Sequence, residues 1–298
     1  MMLEDIEYSR QARGLMVGEP NVASPMRVVC SKSHSIFSIL HQIRQLKSNR
    51  DLLTQLTKRE IAARYRQSAL GLSWSIIEPI LLAMTYYFLF AMLRGNTDKM
   101  YAVWILLGVL IWACFAKTLM GVVTSLSHNT STIQAVYFPR VIHPCVKMLS
   151  NIRITLLSCA VVIPIMIIGD LPFTFHLIWV FIAIFMSGLL GFGFGLIFAP
   201  LNCSNRDMEH LFRFVTRAGF FLSPVMWTID MALEKGWGEL TLLNPMAVPL
   251  TLVRDGVSGH APSIELAWIG YSFGFLIFSW VVGAYVFERN QAEAVKHL

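Results

Sequence analysis

Long apolar stretches separated by short polar segments dominate the chain from about residue 74 onward. A helix needs about 20 apolar residues to cross the hydrocarbon core of a bilayer. By this length the pattern predicts six membrane-spanning helices, near 74–93, 102–123, 146–168, 174–199, 211–229 and 264–287. The fifth is the least regular, because Arg213 and Arg217 lie in its first half and Pro224 near its far end. The two arginines share one helical face and would point to the headgroups or to a wet interior.

Two shorter helices are predicted before the first span. Apolar residues recur at helical spacing from Ser35 to Leu46, which indicates an amphipathic helix. A second, basic helix is predicted to begin near Asn49 or Asp51, since both residue types suit a helix N-cap. These helices would lie on the bilayer surface with their basic side chains on anionic membrane lipids, and one face would also be open to a cytoplasmic partner.

Four parts are expected along the chain. They are an N-terminal cytoplasmic extension with the amphipathic helix (1–48), a basic interface helix (49–72), a six-span domain (73–290) and a cytoplasmic tail (291–298). The first 30 residues contain no apolar core of the kind that a cleavable signal peptide requires.

The distribution of Lys and Arg predicts the orientation. Of the 24 basic residues, nineteen lie in the predicted inner segments or in the inner halves of the third and fifth spans, four lie in the predicted outer segments, and Lys117 lies inside the second span. Positively charged residues are retained in the cytoplasm, so both termini are predicted to be cytoplasmic. This topology accounts for nearly all of the formal charge of +6, and nucleic acid is not an expected partner.

Composition excludes several classes of function. Only 14% of the residues are charged, against about 25% in a soluble domain, which indicates a membrane protein. The sequence has no GxxxxGK[ST] phosphate loop, so the chain is not expected to bind ATP in that manner. HExxH, GxSxG and paired metal-ligand spacings are also missing, and the five cysteines are scattered. No catalytic residue, metal site or cofactor is therefore predicted for the chain itself.

Two connections are longer than the joining of two helices requires. The inner one, 124–145, contains Pro139 and Pro144 around the basic Arg140. The outer one, 230–263, is too apolar for a solvated loop and too often broken by proline and glycine to span. It is predicted to form one or two short helices that dip into the outer leaflet, where non-helical backbone must be covered by protein or water.

Small and charged residues inside the spans mark candidate contacts. Small residues recur at intervals of four on the fourth and sixth spans: Ser187, Gly191 and Gly195, then Gly270 and Gly274, then Ser279 and Gly283. This spacing allows close helix approach, either within the monomer or at a dimer seam. Glu78 and Lys117 are ionisable residues inside the first two spans, and the sequence leaves open whether they meet.

Three ordered motifs resemble one family of transporters. They are RYRQSALGLSWSIIEPI before and into the first span, VYFPRVIHP at 136–144 and LLNPMAVPLTLVRDGV at 242–257. Over roughly residues 50–290 the chain is similar to the membrane (permease) subunits of ABC-type polysaccharide exporters, of the O-antigen and teichoic-acid kind. The first 35 or so residues extend beyond the usual start of that family.

The resemblance implies a homodimer of six-span subunits paired with two separate ATPase subunits, which would bind ATP and Mg. An undecaprenyl-linked glycan would cross between the first, second and fifth spans of the two copies. The residues expected to dock on the ATPase are Arg59, Arg64, Tyr137, Phe138, Pro139 and Arg140. Because sugars stack their CH faces on aromatic rings, the residues expected along the glycan path are Trp74, Tyr86, Trp112 and Phe115. The residues expected at the outer gate are Asn244, Pro245 and Arg254.

Two alternatives stay open. An ABC-type exporter of a drug or another small amphipathic molecule would share the same architecture. A membrane glycosyltransferase acting on polyprenyl phosphate belongs to another class and would need a carboxylate cluster near a membrane face. Only Asp207 and Glu209 come close to such a cluster in the sequence.

Overall fold

The computed structural model of the chain describes residues 37–66, 68–94, 99–130, 139–168, 170–205 and 207–294. The regular elements in these ranges are α-helices and short 3₁₀ turns, so the predicted all-α fold is confirmed for this part of the chain. The helices are α1 (Phe37–Ser48), α2 (Arg50–Arg64), α3 (Trp74–Arg94), α4 (Lys99–Val123), α5 (Ile142–Cys159), α6 (Val162–Ile168), α7 (Ile178–Ser204), α8 (Asp207–Leu222), α9 (Ile229–Glu234), α10 (Gly238–Leu242), α11 (Ala247–Ser258) and α12 (Leu266–Ala294).

Five helical stretches among the described residues are long and apolar enough to cross a membrane. They cover Gly71–Leu89, Met100–Val123, Ile142–Ile168, Phe175–Ser204 and Leu266–Gln291. The third contains a turn at 160–161, between α5 and α6. Pro164 explains this turn, because its ring would meet the carbonyl of Ala160 in a continuous helix. The end of the bundle that the charge distribution assigns to the cytoplasm is called the inner end, and the opposite end is the outer end.

Helix α7 lies at the centre of the bundle and packs against α4, α5, α11 and α12. Glycine makes this close packing possible. A Cβ atom added at Gly191 would lie 2.6 Å from the carbonyl oxygen of Phe115 in α4, and one added at Gly283 in α12 would overlap the carbonyl oxygen of Gly193. The small residues at these positions therefore serve packing within the chain. By contrast, nothing lies within 4 Å of a Cβ added at Gly270.

A matched pair of substitutions in α12 tests this packing. Gly283→Ala is expected to destabilise the chain by about 1–3 kcal/mol, because the added methyl group has no room against the backbone of α7. Gly270→Ala is the control, since it brings the same gain in helix propensity without a clash. Thermal unfolding of both purified variants in one detergent measures the difference, and equal midpoints would contradict close packing at Gly283.

The fifth predicted span, 211–229, differs from the structure. Its helix, α8, begins at Asp207, ends at Leu222 and has 16 residues, which gives a length of about 24 Å at 1.5 Å per residue. Pro224 accounts for the end, because the residue before a proline is disfavoured in the helical conformation. The predicted count of six spans is therefore not confirmed, since α8 falls short of the length of the five stretches that qualify.

The segment from α8 to Met226 still runs the whole length of α4, in the opposite direction. At the inner end Glu209 lies 3.9 Å from His128, which follows α4. At the outer end the Tyr101 hydroxyl donates a 2.8 Å hydrogen bond to the Met226 carbonyl. A 16-residue helix and a short non-helical segment together thus cover the distance that a longer helix was predicted to cover.

Residues 229–258 form three short helices, α9, α10 and α11, where one or two were predicted. The first break includes Gly236, whose φ of 77° lies in the left-handed region that glycine adopts without strain. The second break lies at the Asn244-Pro245 step, where proline removes a backbone donor. Helix α11 packs against α4 and α7 and is largely buried, so this outer element is part of the bundle.

Candidate functional site

A polar stripe runs along one side of α5. Its members are Lys147, Asn151, Thr155 and Ser158. Intervals of four, four and three residues place them on one face of a helix. At the far end of the stripe the Ser158 hydroxyl donates a 2.7 Å hydrogen bond to the Ser75 carbonyl in the first turn of α3. The stripe therefore faces the segments that precede and begin the first span.

The inner half of this stripe holds the interface helix α2. Lys147 Nζ lies 2.6 Å from Glu60 Oε1, and both side chains are at most one quarter exposed. Arg64 donates a 2.8 Å hydrogen bond to Asn151 Oδ1 and lies 3.8 Å from the same Glu60 carboxylate. The last turns of α2 are thus attached to the third membrane-crossing stretch by one ion-pair and hydrogen-bond network.

This stripe is not among the features predicted from the sequence. The available signal was the recurrence of polar residues at intervals of four inside a stretch that is otherwise apolar. From the sequence, Lys147 is only one of the nineteen basic residues of the predicted inner side, and nothing in the pattern marks Glu60 as its partner.

The residues predicted to dock on an ATPase have different surroundings. Arg59 is exposed on α2, whereas Arg64 is occupied by its contact with Asn151. Arg140 donates a 2.9 Å hydrogen bond to the carbonyl of Gln291, in the last turn of α12.

Pro139 is half-buried beside Arg140. Tyr137 and Phe138 lie outside the described residues. Arg140 therefore joins the inner connection to the C-terminal helix, which sequence reasoning did not anticipate.

Three of the four predicted path residues meet in one aromatic cluster. The ring of Tyr86 in α3 lies 5.3 Å from that of Phe220 in α8. The ring of Trp112 in α4 lies 5.3 Å from Phe115 and 6.3 Å from Phe220. Trp112 Nε1 also donates a 3.2 Å hydrogen bond to the Thr216 carbonyl. This aromatic cluster joins α3, α4 and α8.

The exposure of these rings differs. Trp112 is only 8% exposed, so its ring is packed inside the single chain. Tyr86 and Phe115 are half-buried, and Trp74 lies apart from the cluster at the start of α3. Phe221, which the path prediction did not include, touches Phe220 at 5.3 Å and is 62% exposed. The open side of the cluster is therefore on α8.

Glu78 and Lys117 meet, which answers a question that the sequence left open. Lys117 Nζ lies 3.0 Å from Glu78 Oε2, and about half of each side chain is exposed. The pair joins the first and second membrane-crossing stretches in their inner halves. Opposite charges at this depth reduce the cost of placing either group in hydrocarbon.

Arg254 binds the non-helical segment that follows α8. Its Nη1 donates to the Trp227 carbonyl at 2.9 Å, and its Nη2 donates to the carbonyls of Pro224 and Val225 at 2.6 and 2.9 Å. The side chain is buried, which lowers the pKa of Arg254 to about 10 and leaves the guanidinium charged at neutral pH. With the bond from Tyr101 to Met226, four consecutive carbonyls at 224–227 accept side-chain hydrogen bonds.

Asn244 and Pro245, the other two residues predicted at the outer gate, lie beside the segment that Arg254 binds. Asn244 Nδ2 donates a 2.8 Å hydrogen bond to Ser223 Oγ, next to the segment that Arg254 holds. The Pro245 carbonyl accepts a 3.0 Å hydrogen bond from Ser272 Oγ in α12. Tyr101, Asn244 and Arg254, together with segment 223–227, are called the outer clamp.

These features define a multi-pass helical membrane protein with an interface helix at its inner end and a clamped helical element at its outer end. Residues 51–257 match the model of the ABC-2 type transporter family. The chain belongs to this family, and the resemblance predicted from the three motifs is confirmed.

Several relatives are similar to the chain over most of its length. The O-antigen export system permease protein RfbA of Klebsiella pneumoniae is 30% identical over 80% of this chain and 92% of its own length. The RfbA protein of Myxococcus xanthus is 26% identical over 72% of this chain and 82% of its own length. The polysialic acid transport protein KpsM of Escherichia coli is 25% identical over 67% of this chain and 78% of its own length.

Proposed function

We propose that this chain is the membrane subunit of an ATP-driven exporter that moves a lipid-linked polysaccharide across the bacterial inner membrane. The cargo would be an O-antigen, a teichoic acid or a related glycan on an undecaprenyl carrier, moved from the cytoplasmic to the outer face. The observation that carries the proposal is the similarity to O-antigen export permeases along 92% of the length of one of them.

Two copies of the chain and two ATPase subunits would form the exporter. The sequence has no phosphate loop, so ATP and Mg would bind on the partner subunits. Exposed Arg59 and the inner connection around Arg140 are the proposed contacts with the ATPase. Both termini would lie in the cytoplasm, and the segment from α8 to Met226 would act as the fifth of six crossings, because it runs the length of α4.

The aromatic cluster supports a glycan as cargo. Its rings lie beside α8, and Phe221 presents an open face. An exporter of small amphipathic molecules is the remaining transport alternative. A glycosyltransferase would need a cluster of carboxylates near a membrane face. Glu209, one of the two candidates for such a cluster, instead forms an ion pair with Arg213 at 2.8 Å, which argues against this alternative.

A deletion of the gene tests the proposed cargo. Full-length, lipid-linked glycan is expected to accumulate at the cytoplasmic face while its synthesis continues, because a long polar polymer cannot cross the hydrocarbon core alone. Immunoblotting of intact and lysed cells for the surface glycan measures where the polymer is. Normal surface glycan together with a new sensitivity to drugs would reject the proposal in favour of a small-molecule exporter.

A further inference from the structure

Arg217 lies near the middle of the membrane-crossing part of the chain. The carbonyl of its neighbour Thr216 accepts a hydrogen bond from Trp112, which is close to the centre of the stretch Met100–Val123. Arg217 is also ten residues from the first residue of α8, or about 15 Å along the helix axis, so it lies well away from the acidic inner end of that helix.

The side chain of Arg217 is exposed and has no ion pair or hydrogen bond with any residue that the structure describes. The acidic groups nearest in sequence do not serve it: Glu209 is bound to Arg213, and Asp207 lies at the inner end of the helix. A lone guanidinium at the centre of a bilayer costs about 2.5–3.5 kcal/mol even by insertion measurements. Arg217 therefore faces a wet space or an anionic partner outside the single chain.

The surroundings of Arg217 favour a ligand that combines an acidic group with a sugar. Arg213, Arg217 and Phe221 follow at intervals of four and are all exposed, so they share one open face of α8. The ring of Phe221 contacts Phe220, which belongs to the aromatic cluster. A guanidinium binds phosphate and carboxylate oxygens in a bidentate manner, and the adjacent rings suit the CH faces of sugars.

We propose that Arg217 is an anion-binding residue of the transport path, where it pairs with an oxyanion of the cargo while sugar rings contact Phe221. This inference rests on the proposed function, since it specifies which chemical group of the glycan cargo the transport path would bind. The oxyanion has two possible sources, the phosphate of the lipid carrier or the carboxylate of an acidic sugar. Either group can accept two hydrogen bonds from the guanidinium of Arg217. In both cases the low dielectric at this depth strengthens the electrostatic attraction.

Binding to the purified full-length chain in lipid nanodiscs tests the proposal. The probes are a short polyprenyl diphosphate bearing one sugar, the matching polyprenyl glycoside without phosphate, an oligomer of sialic acid and a neutral oligosaccharide. Arg217→Gln is expected to weaken binding of at least one acidic probe by about tenfold or more, because the charge-assisted pair is lost. Arg217→Lys should weaken it less, since the charge stays while the bidentate geometry is lost. Arg44→Gln, on the exposed side of α1, is the control and should change nothing.

The pattern across the probes identifies the source. Loss confined to the polyprenyl diphosphate assigns the oxyanion to the carrier, and loss confined to the sialic acid oligomer assigns it to the glycan. Equal binding of all probes by the wild type and Arg217→Gln, or failure of the wild type to bind either acidic probe, would overturn the proposal. Dissociation of a dimer by Arg217→Gln with unchanged probe affinity would also overturn it and would make Arg217 a contact between copies. If the neutral sugar probes bind while Arg217→Gln has no effect, the anion site fails and the glycan function stands.

Discussion

Arg254→Met is expected to destabilise the outer end of the bundle by several kcal/mol and to abolish export. The substitution keeps an apolar side chain of similar length but leaves the carbonyls of Pro224, Val225 and Trp227 without their donor. Each buried acceptor left unsatisfied costs about 1–3 kcal/mol. This segment has no helical hydrogen bonds with which to replace the lost ones, because Pro224 ends the helical conformation there. Thermal unfolding of the purified chain and proteolysis within 223–227 measure the effect.

Two further variants give the expected order of effects. Tyr101→Phe removes only the donor to Met226, so its cost should be about 1–3 kcal/mol. Arg254→Lys retains a positive charge, but an ammonium group cannot reproduce the planar fork that reaches three carbonyls, so it should lie between the other two. If Arg254→Met destabilises the chain no more than Tyr101→Phe does, the outer clamp does not depend on the guanidinium.

The outer clamp was predictable from the sequence only in part: the position of its residues was predicted, but their hydrogen-bond partners were not. Sequence motifs placed Asn244 and Arg254 at the outer side, and the structure brings both to segment 223–227. Their partners were not predictable, because Arg254 binds main-chain carbonyls that every residue type carries. The end of α8 had a visible signal in Pro224, yet the apolar residues around it favoured one long span. Local hydrophobicity and local backbone preference disagreed there, and the backbone preference decided the structure.

The five qualifying stretches were predictable for a simple reason. Crossing hydrocarbon requires length and apolarity, and both are properties of a continuous piece of sequence. The contacts between stretches were less predictable. Small residues spaced by four occur in both α7 and α12, but the structure uses Gly191 and Gly283 for close packing and leaves Gly270 open. The spacing of such residues indicates a face, and only the fold determines what that face meets.

The inner end couples two features that the sequence presented separately. Helix α2 carries exposed Arg59, a proposed contact with the ATPase, and is fixed to α5 through Glu60 and Lys147. A movement of the ATPase that displaces α2 would therefore be passed to the third membrane-crossing stretch through this ion pair. The pair is at most one quarter exposed, so solvent screens it less than a surface pair.

Reversal of one charge in this pair is expected to uncouple the exporter. Lys147→Glu places two carboxylates together beside Glu60 and should cost about 1–3 kcal/mol, since an attraction becomes a repulsion in a partly buried site. Export by cells carrying the variant should fall more than the membrane level of the protein, and the ATPase of the assembled exporter should keep hydrolysing ATP.

The double variant Glu60→Lys with Lys147→Glu restores opposite charges and should recover much of the export. Recovery is expected to be incomplete because Arg64, which lies 3.8 Å from Glu60, would then face a lysine. If the double variant exports no better than Lys147→Glu alone, the ion pair does not transmit movement from α2 to the bundle.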